Sequence, residues 1–180
     1  MAMDSNVLRD ISYGMYVISA FNGERMNGQI ATTFFQVGSE PKLVAVSINK
    51  GNLTHELIKA SGCFTASIVT EDAPMTFIGI FGFRSGRQID KFKDIAFKKL
   101  EYGCPAVLDH CLGYIEARVV NSVDCGKHSL FVAEVTGGER TGAGKPMTYD
   151  FYHQVKKGLT PQAAPTFAPG SGARPKENQV

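Results

Sequence analysis

The chain has 180 residues, of which 43% are hydrophobic and 20% are charged, and its formal net charge is +2. This balance is typical of one soluble globular domain, and the small net charge gives no reason to expect nucleic acid or an anionic membrane as a partner. No apolar stretch reaches the roughly 18 residues that a membrane-spanning helix requires, and the N-terminus shows no secretion signal, so we expect a cytoplasmic protein.

Turn and helix-stop signals divide the first half of the chain into short elements. The Asn22-Gly23 pair predicts a hairpin turn, because both residues tolerate positive φ, and Gly62 predicts the end of a helix. The expected elements, in chain order, are a short helix at 3–10, strands at 13–21, 26–37 and 42–48, a helix at 52–61 and a strand at 63–70.

The second half predicts one more short helix and a long β-hairpin. Apolar residues at helical spacing predict a helix at 75–81 that stops at Gly82, and residues 83–104 are charged and irregular. Alternating apolar residues predict strands at 112–123 and 129–136 around a turn. Because β–β links dominate, we expect a barrel or sandwich with helical insertions rather than a doubly wound sheet.

Residues 159–180 differ from the rest, because four of the eight prolines fall there. Such a composition is typical of a linker or tail. We expect disorder after about residue 168, while residues 160–167 (TPQAAPTF) are a candidate for docking on the surface of the domain.

The four cysteines form no C-x-x-C pair and lie at no zinc-finger spacing from a histidine. In a cytoplasmic protein this pattern predicts free thiols, several of them buried, and no metal site.

Residues 47–58, SINKGNLTHELI, lead from a predicted strand into a predicted helix. The amide groups at a helix N-terminus lack internal partners, and together with Lys50 and Thr54 they would form a phosphate site. In the alternative interpretation Asn52 only caps the helix and Lys50 is solvated. A Walker-type pattern is absent, which argues against ATP or GTP hydrolysis by that route.

Three further segments are candidate ligand contacts. Residues 27–37, NGQIATTFFQV, begin with little side-chain bulk, so that a flat ligand can approach the backbone, although packing against a neighbouring sheet explains this equally well. Residues 84–99 carry six basic and two acidic residues, which suits a phosphorylated cofactor or a solvated charged face. His153 lies beside two tyrosines, either in a pocket or on an exposed helix.

Five segments together resemble the flavin reductase-like family, whose fold is the FMN-binding split β-barrel. They are ISYGMYVISA, NGQIATTFFQV, VAVSINKGNLTHELI, GFRSGRQIDKF and YDFYHQVKKGLTPQAAPTF. The resemblance spans about residues 8–167 and is strongest to the flavin module of high-molecular-weight rubredoxins and to flavoredoxin-like proteins. It implies a mainly β, Greek-key split barrel with short helices, formed by residues 1–158 and followed by the Pro-rich extension at 159–180. It also implies a homodimer with FMN near the subunit interface.

The resemblance implies positions for the FMN contacts as well. The small-residue strand would lie along the isoalloxazine ring, the strand-to-helix turn would hold the ribityl phosphate, and the basic loop would close over the cofactor. His153 would lie on the nicotinamide side as the candidate catalytic residue. The implied contacts are Asn27, Gln29, Ile30, Ala31 and Thr32 on the strand; Ser47, Ile48, Asn49, Lys50, Thr54 and His55 at the turn; and Gly82, Arg84, Ser85, Gly86 and Lys91 in the loop.

The implied function is an FMN-dependent NAD(P)H oxidoreductase. It would pass electrons to free flavin, to a separate rubredoxin or to a flavodiiron protein, since the chain has no rubredoxin-type C-x-x-C pair. One alternative is an FMN-bound electron carrier with little NAD(P)H activity of its own, and another is a haem-binding or structural split barrel without flavin. Neither a nucleic acid nor a membrane is an expected partner.

Overall fold

The computed structural model of the protein describes residues 7, 8, 10–23 and 25–167. Most of the expected helix at 3–10, and the tail for which we expect disorder, lie outside these residues. The elements are β1 Tyr16–Asn22, β2 Arg25–Ala31, β3 Phe34–Ser39, β4 Lys42–Asn49, α1 Leu53–Ser61, β5 Cys63–Val69, α2 Met75–Phe83, β6 Phe97–Lys99, β7 Pro105–Val107, β8 Cys111–Cys125, β9 His128–Arg140 and α3 Tyr149–Gln154.

Seven strands form one antiparallel sheet in the order β2-β1-β5-β8-β9-β4-β3, and β6 and β7 pair separately. The two edge strands, β2 and β3, are consecutive in the chain and are joined only by Thr32 and Thr33. In a flat sheet these edges would lie about 29 Å apart, whereas a two-residue link spans about 10 Å. The sheet therefore curls until its edges meet, and the expected mainly β barrel with short helices is confirmed.

Two predicted boundaries were wrong. Residues 26–37 form two strands rather than one, because at Thr32 and Thr33 the chain leaves one edge of the sheet and enters the other. Gly82 does not end α2, which continues to Phe83. At Gly82 an added Cβ would only make ordinary contact with the side chain of Ile30, at 3.7 Å, so this glycine lies in the helix beside β2 and does not mark its end.

The predicted turn and stop signals at Gly23 and Gly62 are confirmed. Gly23 has a φ of +61° between the paired residues Asn22 and Arg25. Gly62 has a φ of +70° and donates its backbone N–H to the Ile58 carbonyl at 2.8 Å, which ends α1 in the usual left-handed cap. The long β8–β9 hairpin is also present, with both strands longer than predicted.

The core has two parts that share strand β1. Ile18 points into the interior of the curled sheet, where it packs with residues such as Phe64 and with Leu57 of α1. Its neighbour Val17 points to the outer face, where α2 and α3 supply residues such as Phe81. Each large apolar side chain buried in this way contributes roughly 1.5–3 kcal/mol. Helices α2 and α3 are thus fixed against the outside of the sheet, whereas α1 packs on its interior.

The cysteines follow the sequence prediction. Cys63, Cys104 and Cys111 are buried, Cys125 is exposed, and all four are free thiols. In the part of the chain that the structure describes, no group of three His, Cys, Asp or Glu side chains is placed to hold a metal ion. None of the helices within those residues is long and apolar enough to cross a membrane.

The tight pairing of β8 with β9 at Gly113 gives a test of the sheet. A Cβ on Gly113 would lie 2.3 Å from the Glu139 carbonyl oxygen, whereas a Cβ on Gly137 in the same hairpin would meet nothing closer than 4.0 Å. We therefore expect Gly113→Ala to lower the free energy of unfolding by roughly 1–3 kcal/mol and Gly137→Ala to change it by less than about 1 kcal/mol. Urea denaturation measures both, and equal effects would contradict this account of the hairpin.

Candidate functional site

A cavity of about 390 Å³ lies between β2, the β4–α1 turn, the C-terminal half of α2 and the loop that follows it. Its remaining wall comes from Tyr149 and Tyr152 of α3 and from residues 159–165, which lie beyond this last helix. The volume is within the range of small-molecule sites, roughly 300–1,000 Å³. The cavity therefore combines four segments that are distant in the sequence, and each segment contributes different chemistry.

Strand β2 forms a wall with little bulk and with unused hydrogen-bonding capacity. A Cβ on Gly28 would lie 2.8 Å from Ser19 Oγ and 3.0 Å from the ring of Phe81, so only glycine fits there without displacement. Asn27 donates from Nδ2 to Thr54 Oγ1 at 2.8 Å. Its Oδ1 and the Oγ1 of Thr32 are buried and have no partner among the described residues. Buried polar atoms without a partner are costly, so this wall favours a ligand that forms hydrogen bonds with an amide oxygen and a hydroxyl.

The β4–α1 turn faces this strand across the cavity. Asn49 Oδ1 accepts the backbone N–H of Gly51 at 2.9 Å. Asn52 occupies the N-cap position of α1, but its side chain does not cap the helix; its Nδ2 donates instead to Gln29 Oε1 at 3.0 Å. The simple capping interpretation of Asn52 is therefore wrong, and the first amides of α1 receive no side-chain bond from it.

Four residues that the sequence analysis placed at this turn lie outside the cavity lining. Lys50 donates to Asp124 Oδ2 at 2.7 Å on the surface, and Ile48 is fully buried in the core. Thr54 supports Asn27 from behind the wall. His55 Nε2 lies 2.9 Å from Ser129 Oγ, with its ring against Phe131. Burial, helped by the charges of nearby lysines, lowers the pKa of His55.

The loop after α2 closes the opposite side. A Cβ on Gly86 would lie 1.9 Å from Asn27 Oδ1, so the loop backbone approaches β2 very closely here. Arg87 forms an ion pair with Glu56 and donates a hydrogen bond to it. This bond lowers the pKa of the Glu56 carboxyl group. Arg84 lines the cavity and forms no ion pair with any residue of the described ranges. Lys91 is buried and lies against the wall formed by β2 and α2.

Residues 159–165, here called the C-terminal strap, hold their position through bonds at both ends. Tyr152 Oη donates to the Leu159 carbonyl at 3.0 Å. The Ala163 carbonyl accepts from Asn49 Nδ2 and lies equally close to His128 Nε2, both at 3.3 Å. The expected docking of this segment on the domain is thus observed, and one polar residue of the cavity, Asn49, holds the strap.

His153 lies outside the cavity lining. Its Nδ1 is 2.8 Å from the Gly158 carbonyl, and its ring packs edge-on against Tyr149. Both neighbouring tyrosines, Tyr149 and Tyr152, do line the cavity. The side chain of His153 therefore fixes the root of the strap, and its catalytic role stays a prediction.

The structure brings together most of the residues that the sequence analysis selected. The predicted residues that line the cavity are Asn27, Gln29, Ile30, Ala31, Thr32, Ser47, Asn49, Gly82, Arg84, Ser85, Gly86 and Lys91. Those placed elsewhere are Ile48, Lys50, Thr54, His55 and His153. The aromatic lining (Phe81, Phe83, Tyr149 and Tyr152) was not among the predicted contacts, and residues 160–167 were expected only to dock on the domain surface, not to line a cavity. The aromatic residues gave no signal, because apolar residues at helical spacing also predict ordinary core.

Comparison with known proteins adds independent information. The family model described as flavin reductase like domain matches residues 8–158. A high molecular weight rubredoxin from Moorella thermoacetica is 49% identical over 168 residues, which are 93% of this chain and 73% of that protein. A ferric-chelate reductase (NAD(P)H) from Archaeoglobus fulgidus is 41% identical over 165 residues, which are 92% of this chain and 98% of that protein.

A solved structure agrees with these matches. The flavin reductase PheA2 in its native state superposes with a TM-score of 0.67 at 31% sequence identity, covering 81% of this chain and 93% of that chain. The resemblance in sequence therefore extends to the fold.

The close approach of Gly86 to Asn27 predicts a binding defect. Gly86→Ala should push the loop away from β2 and weaken flavin binding about tenfold, which corresponds to roughly 1.4 kcal/mol. Gly79→Ala is the matched control, because a Cβ at that position in α2 meets nothing within 4 Å. Fluorescence titration with flavin measures both affinities, and a Gly86→Ala protein with unchanged affinity would contradict the closed arrangement of the loop.

The buried His55 predicts a pH dependence of stability. Because its pKa is lowered in the folded protein, the unfolded chain binds the proton more readily, and stability falls as the pH drops through about 6.5. In His55→Gln this contribution is absent, so its stability should fall less between about pH 7.5 and about pH 5.5. Urea denaturation at both pH values measures the difference. Parallel pH profiles for the two proteins would show that His55 does not carry it.

Proposed function

Because the chain belongs to the flavin reductase-like family and folds as its split β-barrel, we propose that it is an FMN-dependent NAD(P)H oxidoreductase. The observation that carries this proposal is the cavity, in which the small-residue wall of β2 faces the N-terminal turn of α1. A flavin and its phosphate need these two features at opposite ends: a flat surface with polar groups at its edge, and a source of backbone N–H groups.

The residues present fit a flavin. The unpartnered oxygens Asn27 Oδ1 and Thr32 Oγ1 support this proposal, because both would accept a hydrogen bond from an N–H group of a ring bound against β2. Ser47 and Asn49, at the end of β4, would hold the phosphate end. FMN is the flavin that the family resemblance implies, and the cavity of about 390 Å³ is within the range of small-molecule sites. When bound, FMN would supply the hydride-accepting and electron-relaying chemistry.

The contribution of the protein is to bind, orient and shield. Gly28 lets Phe81 of α2 pack directly on β2, and Gly86 lets the loop approach Asn27, so the walls of the cavity lie close together. Aromatic side chains of α2 and α3, among them Phe81 and Tyr152, line one side of the cavity and would exclude water from a bound ring. Arg84 at the rim has no carboxylate partner among the described residues and is free to attract a nucleotide phosphate. The use of NAD(P)H is supported by the 41% identity to the ferric-chelate reductase (NAD(P)H).

A second candidate function is an FMN-bound electron carrier that serves a separate rubredoxin or flavodiiron protein. It is favoured by the 49% identity to a protein named as a rubredoxin. The chain would then hold the flavin in the same cavity and differ only in having little NAD(P)H activity.

For either function we propose a homodimer. Phe35 and Val37 on the edge strand β3 are 50% and 46% exposed, and apolar residues on an edge strand suit a subunit contact.

The decisive experiment combines flavin binding with anaerobic turnover. Purified protein is titrated with FMN, FAD and riboflavin, and the FMN-loaded protein is then mixed with NADH or NADPH without oxygen. We expect saturation by FMN at micromolar concentration and rapid bleaching of the bound flavin by at least one nicotinamide.

The other outcomes are equally informative. Absence of saturable flavin binding would contradict both functions. Bound FMN that is reduced by rubredoxin but by neither nicotinamide would establish the carrier. Preferential binding of FAD would retain the reductase but correct the cofactor.

A further inference from the structure

The most unusual charged group in the protein is the ammonium of Lys91. Its side chain lines the cavity, yet the residue is only 5% exposed. Its Nζ donates to the Gly28 carbonyl at 2.9 Å and to the Phe81 carbonyl at 3.3 Å. An ammonium carries three N–H groups, so these two bonds leave one donor for a ligand.

Among the residues that the structure describes, no carboxylate forms an ion pair with this ammonium. The four ion pairs of the described residues involve other side chains. The neighbouring acid Asp90 is exposed and accepts the backbone N–H of Phe92 at 2.9 Å. Burial lowers the pKa of Lys91 to about 8, so the group is still mostly protonated at neutral pH. A buried cation held only by carbonyl dipoles is destabilising unless an anion completes its surroundings.

The positions of the Gly28 and Phe81 carbonyls show which wall of the cavity holds the Lys91 ammonium group. Gly28 lies in the middle of β2, between the lining residues Asn27 and Gln29, and Phe81 lies in the last turn of α2. The negative end of the α2 dipole helps to hold the cation there. The β4–α1 turn, where the phosphate is expected, is a different wall, and the Lys50 ammonium near it is already paired with Asp124. Lys91 therefore belongs to the wall of β2 and α2, against which the proposed function places the flavin ring.

We propose that Lys91 makes the cavity bind the reduced, anionic flavin more tightly than the oxidised, neutral ring. This inference rests on the proposed function. Transfer of one hydride from the reduced nicotinamide gives the oxidised nicotinamide and a reduced ring that carries one negative charge. A buried cation fixed beside the ring in advance stabilises that charge without reorganisation. Lys91 thus sets the driving force of the reaction as well as holding the loop against β2.

The test compares the affinities of the oxidised and reduced flavin in variants of one residue. Lys91→Met removes the charge, Lys91→Gln removes it but keeps a hydrogen-bond donor, and Lys91→Arg restores it. Lys93→Met is the matched control, because Lys93 is exposed in the same loop and does not line the cavity. Affinities for FMN and riboflavin are measured by titration, and midpoint potentials by anaerobic redox titration.

We expect Lys91→Met and Lys91→Gln to weaken binding of the reduced flavin ten- to hundredfold, with the affinity of the oxidised flavin changed less than about threefold. The midpoint potential should then fall by about 30–60 mV for a two-electron couple. The shift should be the same with FMN and riboflavin, because both have the same ring. Lys91→Arg should recover most of it, and Lys93→Met should show none.

Three results would overturn the proposal. Equal losses of affinity for the oxidised and reduced flavin, together with a lower melting temperature, would reduce Lys91 to a structural role. A loss confined to FMN, with riboflavin unaffected, would assign its charge to the phosphate. Normal flavin binding with an unchanged potential in Lys91→Gln would refute the inference while leaving the proposed function intact. A native protein that binds no flavin would instead refute both.

Discussion

The two-residue connection between β2 and β3 is the constraint on which the rest of the structure depends. Because Thr32 and Thr33 join opposite edges of a seven-stranded sheet, the sheet has to curl, and β2 comes to lie against the end of β4. At this seam, a strand with little side-chain bulk meets the first turn of α1. Two side-chain bonds cross it, from Asn27 to Thr54 and from Asn52 to Gln29. The fold and the cavity are therefore consequences of the same closure.

The cavity walls are held together by polar side chains that bond to backbone carbonyls of another segment. Lys91 joins the loop to β2 and α2, while Asn49 joins the turn to the strap. Bonds of this kind fix the distance between walls without filling the space between them. Charged side chains at the surface form ordinary ion pairs, such as Arg87 with Glu56. Exposed pairs of this kind contribute little to stability.

The turn after β4 shows that a sequence motif does not indicate which of its residues line the site. Leu53, Thr54 and His55 follow one another in the first turn of α1, and successive residues of a helix point about 100° apart. Only Leu53 faces the cavity; the next two turn behind the β2 wall and toward β9. Thr54 and His55 thus support the residues that line the site. A motif read along the sequence contains both kinds of residue and does not distinguish them.

The sequence by itself determined the elements whose signal is local. The glycines at 23 and 62 marked a hairpin and a helix end because their backbone conformations are set by neighbouring residues, and alternating apolar residues defined the long β8–β9 hairpin. The ordered set of family segments identified the fold and selected Asn27, Ala31 and Gly86 for the site.

Only the tertiary structure decided what depends on contacts between distant segments. The break at Thr32 and the ion pair of Lys50 with Asp124 on the surface both depend on residues far away in the chain. The strap became a cavity wall because Tyr152 and Asn49 bind its carbonyls. The burial of Lys91 likewise arises where β2, α2 and the loop meet. Hydrophobic periodicity and turn chemistry act over a few residues, whereas burial and charge compensation are properties of the assembled chain.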